Sequence, residues 1–166
     1  SFGEFDGYEF RNNRFYPGLY DTISYAIGQI ILLIDKKFYA NNIDFVMHLV
    51  NISFSSLSIL GLYLIVKKIF SNNIAILASL ITLLNPFFFG HMGMNSKDII
   101  IFFSLIWFCY YFYLYCVEDE KTTKNLLLAS FFIGFGCGVR LTFPVVIFPV
   151  IICGLIFLFN KHKSNY

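Results

Sequence analysis

Between Phe45 and Asn160 the ionised side chains of this chain fall at four places: Lys67-Lys68, Lys97-Asp98, the stretch from Glu118 to Lys124, and Arg140 alone. The segments between them are dominated by Leu, Ile, Val and Phe. A bilayer core about 30 Å thick is crossed by about 20 apolar residues, because a helix rises about 1.5 Å per residue. Runs of that length suit lipid, where a helix satisfies its own backbone polar groups. The spacing predicts an all-α fold, a polytopic bundle of transmembrane helices. A fragment of a larger membrane domain is expected, since the chain opens at Ser1 without a signal-peptide pattern and closes just past a basic cluster.

Composition agrees with this. Of 166 residues, 58% are hydrophobic and 13% charged, against roughly a quarter charged in a soluble domain. A net charge of +2, with no basic patch interleaved with aromatics, argues against a nucleic-acid partner. Cys109, Cys116, Cys137 and Cys153 all lie in apolar runs, with no CxxC and no His at ligand spacing. They read as small hydrophobes, and no protein metal site is expected from them.

Residues 1–18 carry Glu4, Asp6, Glu9, Arg11 and Arg14, then the turn signal Tyr16-Pro17-Gly18, and read as an extracytoplasmic loop. Residues 19–34 are apolar behind Asp21 and suit an interfacial or partial helix. Spans are expected at 43–66, at 74–89 (stopped by Asn85-Pro86) and at 99–117, with a polar island at 90–98 between the last two. The apolar stretch 125–159 would measure about 50 Å as one helix, well beyond the hydrocarbon thickness. Gly134, Gly136, Gly138 and Pro144 therefore predict a turn near 138–143, dividing it into spans at 125–138 and 142–159. Residues 161–166 then form a cytoplasmic tail or loop.

Alternation of the spans puts Lys67-Lys68, the 118–124 loop and the Lys161-His162-Lys163 tail on one side. That side has six Lys and no Arg. The opposite side also has six basic residues, but four belong to the N-terminal segment, leaving Lys97 and Arg140 in internal loops. The positive-inside rule makes the Lys67 side cytoplasmic. Seven acids then fall outside: Glu4, Asp6, Glu9, Asp21, Asp35, Asp44 and Asp98. With His91, Lys97 and Arg140 they place nearly every acid–base or anion-binding group on one face.

Arg140 stands in an apolar run, where a cation costs a few kcal/mol or more without a partner. It either snorkels to head groups or pairs with a phosphate, Asp98 or Asp44. A planar guanidinium suits phosphate by donating two parallel hydrogen bonds. Asn95-Ser96-Lys97-Asp98 reads as a capped helix start, with Asn95 as N-cap and Asp98 complementing the dipole. Lys97 there adds an anion site at the membrane surface. His91 is either an interface residue or a base. The Gly134-x-Gly136-x-Gly138 run lacks the strand–turn–helix setting of a nucleotide loop and fits close packing or the turn before Arg140.

Taken in order, these segments are Tyr16-Pro17 to Asp21, Lys67-Lys68-Ile69-Phe70, Asn85-Pro86-Phe87-Phe88-Phe89-Gly90-His91, Asn95-Ser96-Lys97-Asp98 and Gly136-Cys137-Gly138-Val139-Arg140. Over about residues 16–160 the chain resembles the multi-spanning GT-C glycosyltransferases, in particular mannosyltransferase-like bacterial members that use polyprenyl-phosphate sugars. Ser96 stands where that group usually has Pro, and Lys97 and Asp98 keep their places. The resemblance implies a multi-pass enzyme of the bacterial inner membrane. Such an enzyme moves a sugar from a polyprenyl-phosphate donor to a lipid, glycan or protein acceptor at the outer face. It further implies an acid in the first outer loop as general base or divalent-metal partner, for which Asp6 and Asp21 are the candidates beside Glu4. Substrate binding would fall to His91, Lys97, Asp98 and Arg140.

Two other readings stay open. A transporter or flippase for a lipid-linked or anionic substrate predicts discontinuous helices and polar residues in mid-membrane. A non-enzymatic scaffold has no evident use for seven acids on one face.

Overall fold

The computed structural model describes residues 18–34, 43–117 and 123–164, with only the backbone described at Ile43, Ser96, His162 and Ser164. Seven helices make up nearly all of it: α1 Leu19–Ile34, α2 Ile43–Ile69, α3 Asn72–Leu84, α4 Pro86–Met94, α5 Ser96–Val117, α6 Thr123–Cys137 and α7 Phe143–Ser164. No strand occurs among the described residues. The fold is a helical membrane bundle. By length and composition, α2, α5 and α7 can each cross a bilayer, and α3 with α4 counts as a fourth crossing if taken as one bent span.

The bend between α3 and α4 is 67°, and its cause is local. Pro86 has no N–H to continue the ladder, and the Asn85 side chain accepts from the N–H groups of Phe87 and Phe88 at 2.9 and 3.4 Å. A helix ends at Leu84 and a new one starts at Pro86, its preferred first position. The segment 90–98, which reads as a polar island in sequence, is helical up to Met94, and Asn95 alone separates α4 from α5.

Side chains of α2 hold the free end of α4. His48 Nδ1 donates to Gly93 O at 2.6 Å, Asn51 Nδ2 donates to the same carbonyl at 3.0 Å, and Ser55 Oγ donates to Met92 O at 3.3 Å. The last carbonyls of a helix have no partner within it, and in lipid each needs one.

The centre of the bundle is packed by α2, α5 and α6. Phe103 meets Phe54 edge-on at 5.0 Å and Phe132 at 5.6 Å, while Phe132 stacks on Trp107 and Tyr111. Gly61 permits the approach of α2 to α5, since a Cβ there would lie 2.7 Å from Ile106 Cγ2. Buried Ser58 and Ser104 donate to carbonyls four residues back in their own helices, and the one Ser55 hydroxyl hydrogen is shared between Asn51 O at 2.9 Å and Met92 O at 3.3 Å, so they open no polar path. The outward faces carry Leu77, Ile81, Phe131, Val145, Phe148 and Leu155 exposed, as lipid-facing helices do.

Candidate active site

The turn between α6 and α7 is built to hold one arginine. Gly138 N donates to Gly134 O, Arg140 N donates to Gly136 O at 2.9 Å, and Arg140 O accepts from Phe143 N at 3.0 Å. No glycine here uses a left-handed φ. Space is what the glycines supply. A Cβ at Gly136 would collide with the Phe143 ring, and one at Gly138 would lie 2.9 Å from Leu19 Cδ2. The backbone N–H of Leu19 donates to Gly138 O at 3.2 Å. The start of α1 is thereby fastened to the turn, with Tyr20, Val50, Ile100 and Val139 forming an apolar floor beneath.

From that turn Arg140 reaches the first turn of α5. Its Nη2 lies 2.9 Å from Asp98 Oδ1, with the two side chains 39% and 51% exposed. Asp98 Oδ2 accepts from Asn95 Nδ2 at 2.7 Å, and Asn95 Nδ2 also lies 2.9 Å from His91 Nδ1. Asn95 Oδ1 accepts the Asp98 N–H at 3.0 Å, so Asn95 caps α5. A continuous polar chain, His91–Asn95–Asp98–Arg140, therefore runs from the last turn of α4 across the head of α5 to the α6–α7 turn. Arg140 Nε is buried and finds no acceptor among the described residues, so the guanidinium keeps a desolvated donor.

Of the residues singled out from sequence, Asp98 and Arg140 meet directly, and His91 joins them through Asn95. Lys97 adjoins them as the half-buried residue before Asp98. Asp21 sits exposed in the first turn of α1, two residues past the Leu19–Gly138 hydrogen bond. Asp6 and Glu4 lie outside the described residues. Asp44 is exposed at the start of α2, and the carboxylate that meets Arg140 is that of Asp98. Asn95 has a larger part than capping, as it joins the two helices. His48 and Asn51 were not among the sequence candidates, because their partner lies more than forty residues away and no local pattern signals it. Among the described residues no group of three or more His, Cys, Asp and Glu could hold a metal ion.

The comparison with protein families decides the class. Residues 28–165 match the family model of the dolichyl-phosphate-mannose-protein mannosyltransferases, a GT-C type family. The chain belongs to that family. Searches of curated proteins and of solved structures return no match. Membership makes this a membrane protein of a glycosyltransferase family, and all four members of the His91–Arg140 chain lie inside the matched region.

Proposed function

We propose that the chain transfers a sugar from a polyprenyl-phosphate donor to a lipid, glycan or protein acceptor at the outer face of the bacterial inner membrane. The observation that carries this reading is the Arg140–Asp98 pair with its unsatisfied Nε, at the head of a membrane helix in a glycosyltransferase-family chain. Glycosyl transfer needs a base for the acceptor hydroxyl and positive charge for the departing phosphate. The acceptor oxygen bonds to the anomeric carbon while the bond from that carbon to the phosphate oxygen breaks. The bonding pair leaves with the phosphate, and the hydroxyl proton passes to a carboxylate. Asp98 holds Arg140 by Nη2, which leaves the other donors of the fork for phosphate oxygens. Lys97 and the N-terminus of α5 add positive potential beside it. Asp6 and Asp21 are the bases we propose, since Asp98 is engaged. The prenyl tail stays in the surrounding lipid.

The test is transfer from a radiolabelled polyprenyl-phosphate hexose by the full protein in vesicles. Arg140→Ala is expected to lower transfer by about 100-fold or more, the scale for losing a donor to developing charge, with detergent-solution folding unchanged. Wild-type transfer in that variant would remove the proposal. The α3–α4 bend is the one observation that favours transport instead, because discontinuous helices mark transporters. Movement of intact donor across sealed vesicles, without transfer, would select that reading.

A further inference from the structure

We propose that Asn95 is a positioning residue that fixes His91 as the Nε2–H tautomer, so that the imidazole meets substrate as a hydrogen-bond donor and not as a base. The substrate-facing part of this rests on the reading given under Proposed function; the tautomer does not.

Two groups beside the Asn95 amide have roles that cannot be exchanged. The backbone N–H of Asp98 only donates, so the Asn95 atom 3.0 Å from it is the amide oxygen. The other amide atom is then the nitrogen, as its 2.7 Å contact with the Asp98 carboxylate also requires, since an ionised carboxylate only accepts. A flipped amide would set oxygen against carboxylate and NH2 against N–H at once. Both ends of the amide are thus determined by partners of fixed character, which is how such assignments are made.

That nitrogen has two hydrogens and no lone pair to offer. One hydrogen goes to Asp98 Oδ2, and the other points to His91 Nδ1 at 2.9 Å. His91 Nδ1 therefore accepts, and the proton of the neutral ring sits on Nε2. An Nδ1–H ring would oppose two N–H groups across that distance. Phe87, with its ring centroid 4.4 Å from that of His91, holds the imidazole from one side.

His48 supplies a contrast within the same molecule. Its Nδ1 lies 2.6 Å from Gly93 O, and a carbonyl only accepts, so here Nδ1 carries the proton. One histidine lies within this short helix and the other reaches it from α2, and the two carry opposite tautomers. The consequence for chemistry is specific. His91 offers Nε2–H to an oxygen of the donor phosphate or sugar, and removal of the acceptor's proton is left to a carboxylate.

The experiment is 15N spectroscopy of the full protein, labelled at histidine and held in nanodiscs, at a pH well above the ordinary imidazole pKa of about 6.5. His91 signals are assigned by their loss in His91→Gln, and His48 signals by their loss in His48→Gln. The expected result is a proton on Nε2 of His91 and on Nδ1 of His48. A proton on Nδ1 of wild-type His91 would overturn the proposal. Asn95→Ser keeps an N-cap of similar strength but removes the amide nitrogen, and should populate both His91 tautomers. An unchanged spectrum in that variant would show that Asn95 is not the lock. In transfer assays His91→Gln, whose amide nitrogen replaces the Nε2–H, should stay within about tenfold of wild type, while His91→Ala falls well below it. Equal loss in both would overturn the donor role. Absence of transfer in the wild type would sink the glycosyltransferase reading, with the tautomer still decided by the spectrum.

Discussion

Arg140 and Asp98 are each too exposed for their contact to hold the fold together. Ion pairs of this kind contribute about 0–1 kcal/mol, because water screens them and two long side chains must be ordered. Asp98→Asn is therefore expected to change the thermal unfolding of the detergent-solubilised protein by no more than that. Transfer should fall by about 100-fold, the scale for a misplaced catalytic group. A large stability loss with little loss of transfer would assign the pair to scaffolding. The sequence narrowed the partners of Arg140 to a phosphate, Asp98 or Asp44 from charge alone. It could not choose, since the choice depends on α5 starting beside the α6–α7 turn. Asn95 was legible as a cap from its spacing to Asp98, yet its contact with His91 was not, because that contact requires residues 90–94 to be helical.

Helix-level behaviour is controlled by glycines and by a clamp. A side chain at Gly136 must displace the Phe143 ring, which is fully buried, whereas Gly134 faces open space. Gly136→Val should destabilise the protein by about 1–3 kcal/mol, as overpacking does, while Gly134→Ala should be neutral or slightly stabilising through helix propensity. Chemical unfolding of the pair checks this, and equal effects would contradict the packing described. The same contrast explains why the glycine run resisted a single meaning in sequence: spacing shows three equivalent residues, and only the partners separate them. Asn51→Leu leaves Gly93 O with one donor fewer in a buried setting. Since His48 still donates to that carbonyl, a cost of about 0.5–1.5 kcal/mol is expected, together with faster proteolysis near α4. The α3–α4 break was legible from Asn85-Pro86. The restart beyond it was not, because Gly90, His91 and Gly93 together suggest a loop unless α2 is present to receive them.

At the scale of the molecule, α5 links two differently furnished ends. Asp98 and Arg140 mark one, and at the other Lys161 Nζ donates to Val117 O at 3.0 Å. If the Lys67 and Lys161 end is cytoplasmic, single cysteines at Ser71 and Thr123, in a background without the native four, should react with impermeant reagent only from the inside. Cysteines at Asn95 and Leu141 should react only from the outside. Labelling of 95 and 141 from opposite faces would dismantle the proposed site. The bundle was legible from the lengths of apolar runs, since lipid imposes them directly. Sidedness depends on a small excess of lysine, and the site on contacts between distant segments, so both needed more than the string of residues.

The suspension of α4 from His48, Asn51 and Ser55 has a practical sequel. A short helix hung from another by side-chain donors, and joined to its neighbours through one residue at each end, passes any shift of those donors on to the histidine it carries. Editing His48, Asn51 or Ser55 on α2 is thus a way to retune the His91–Asn95 contact from a distance, without replacing either partner.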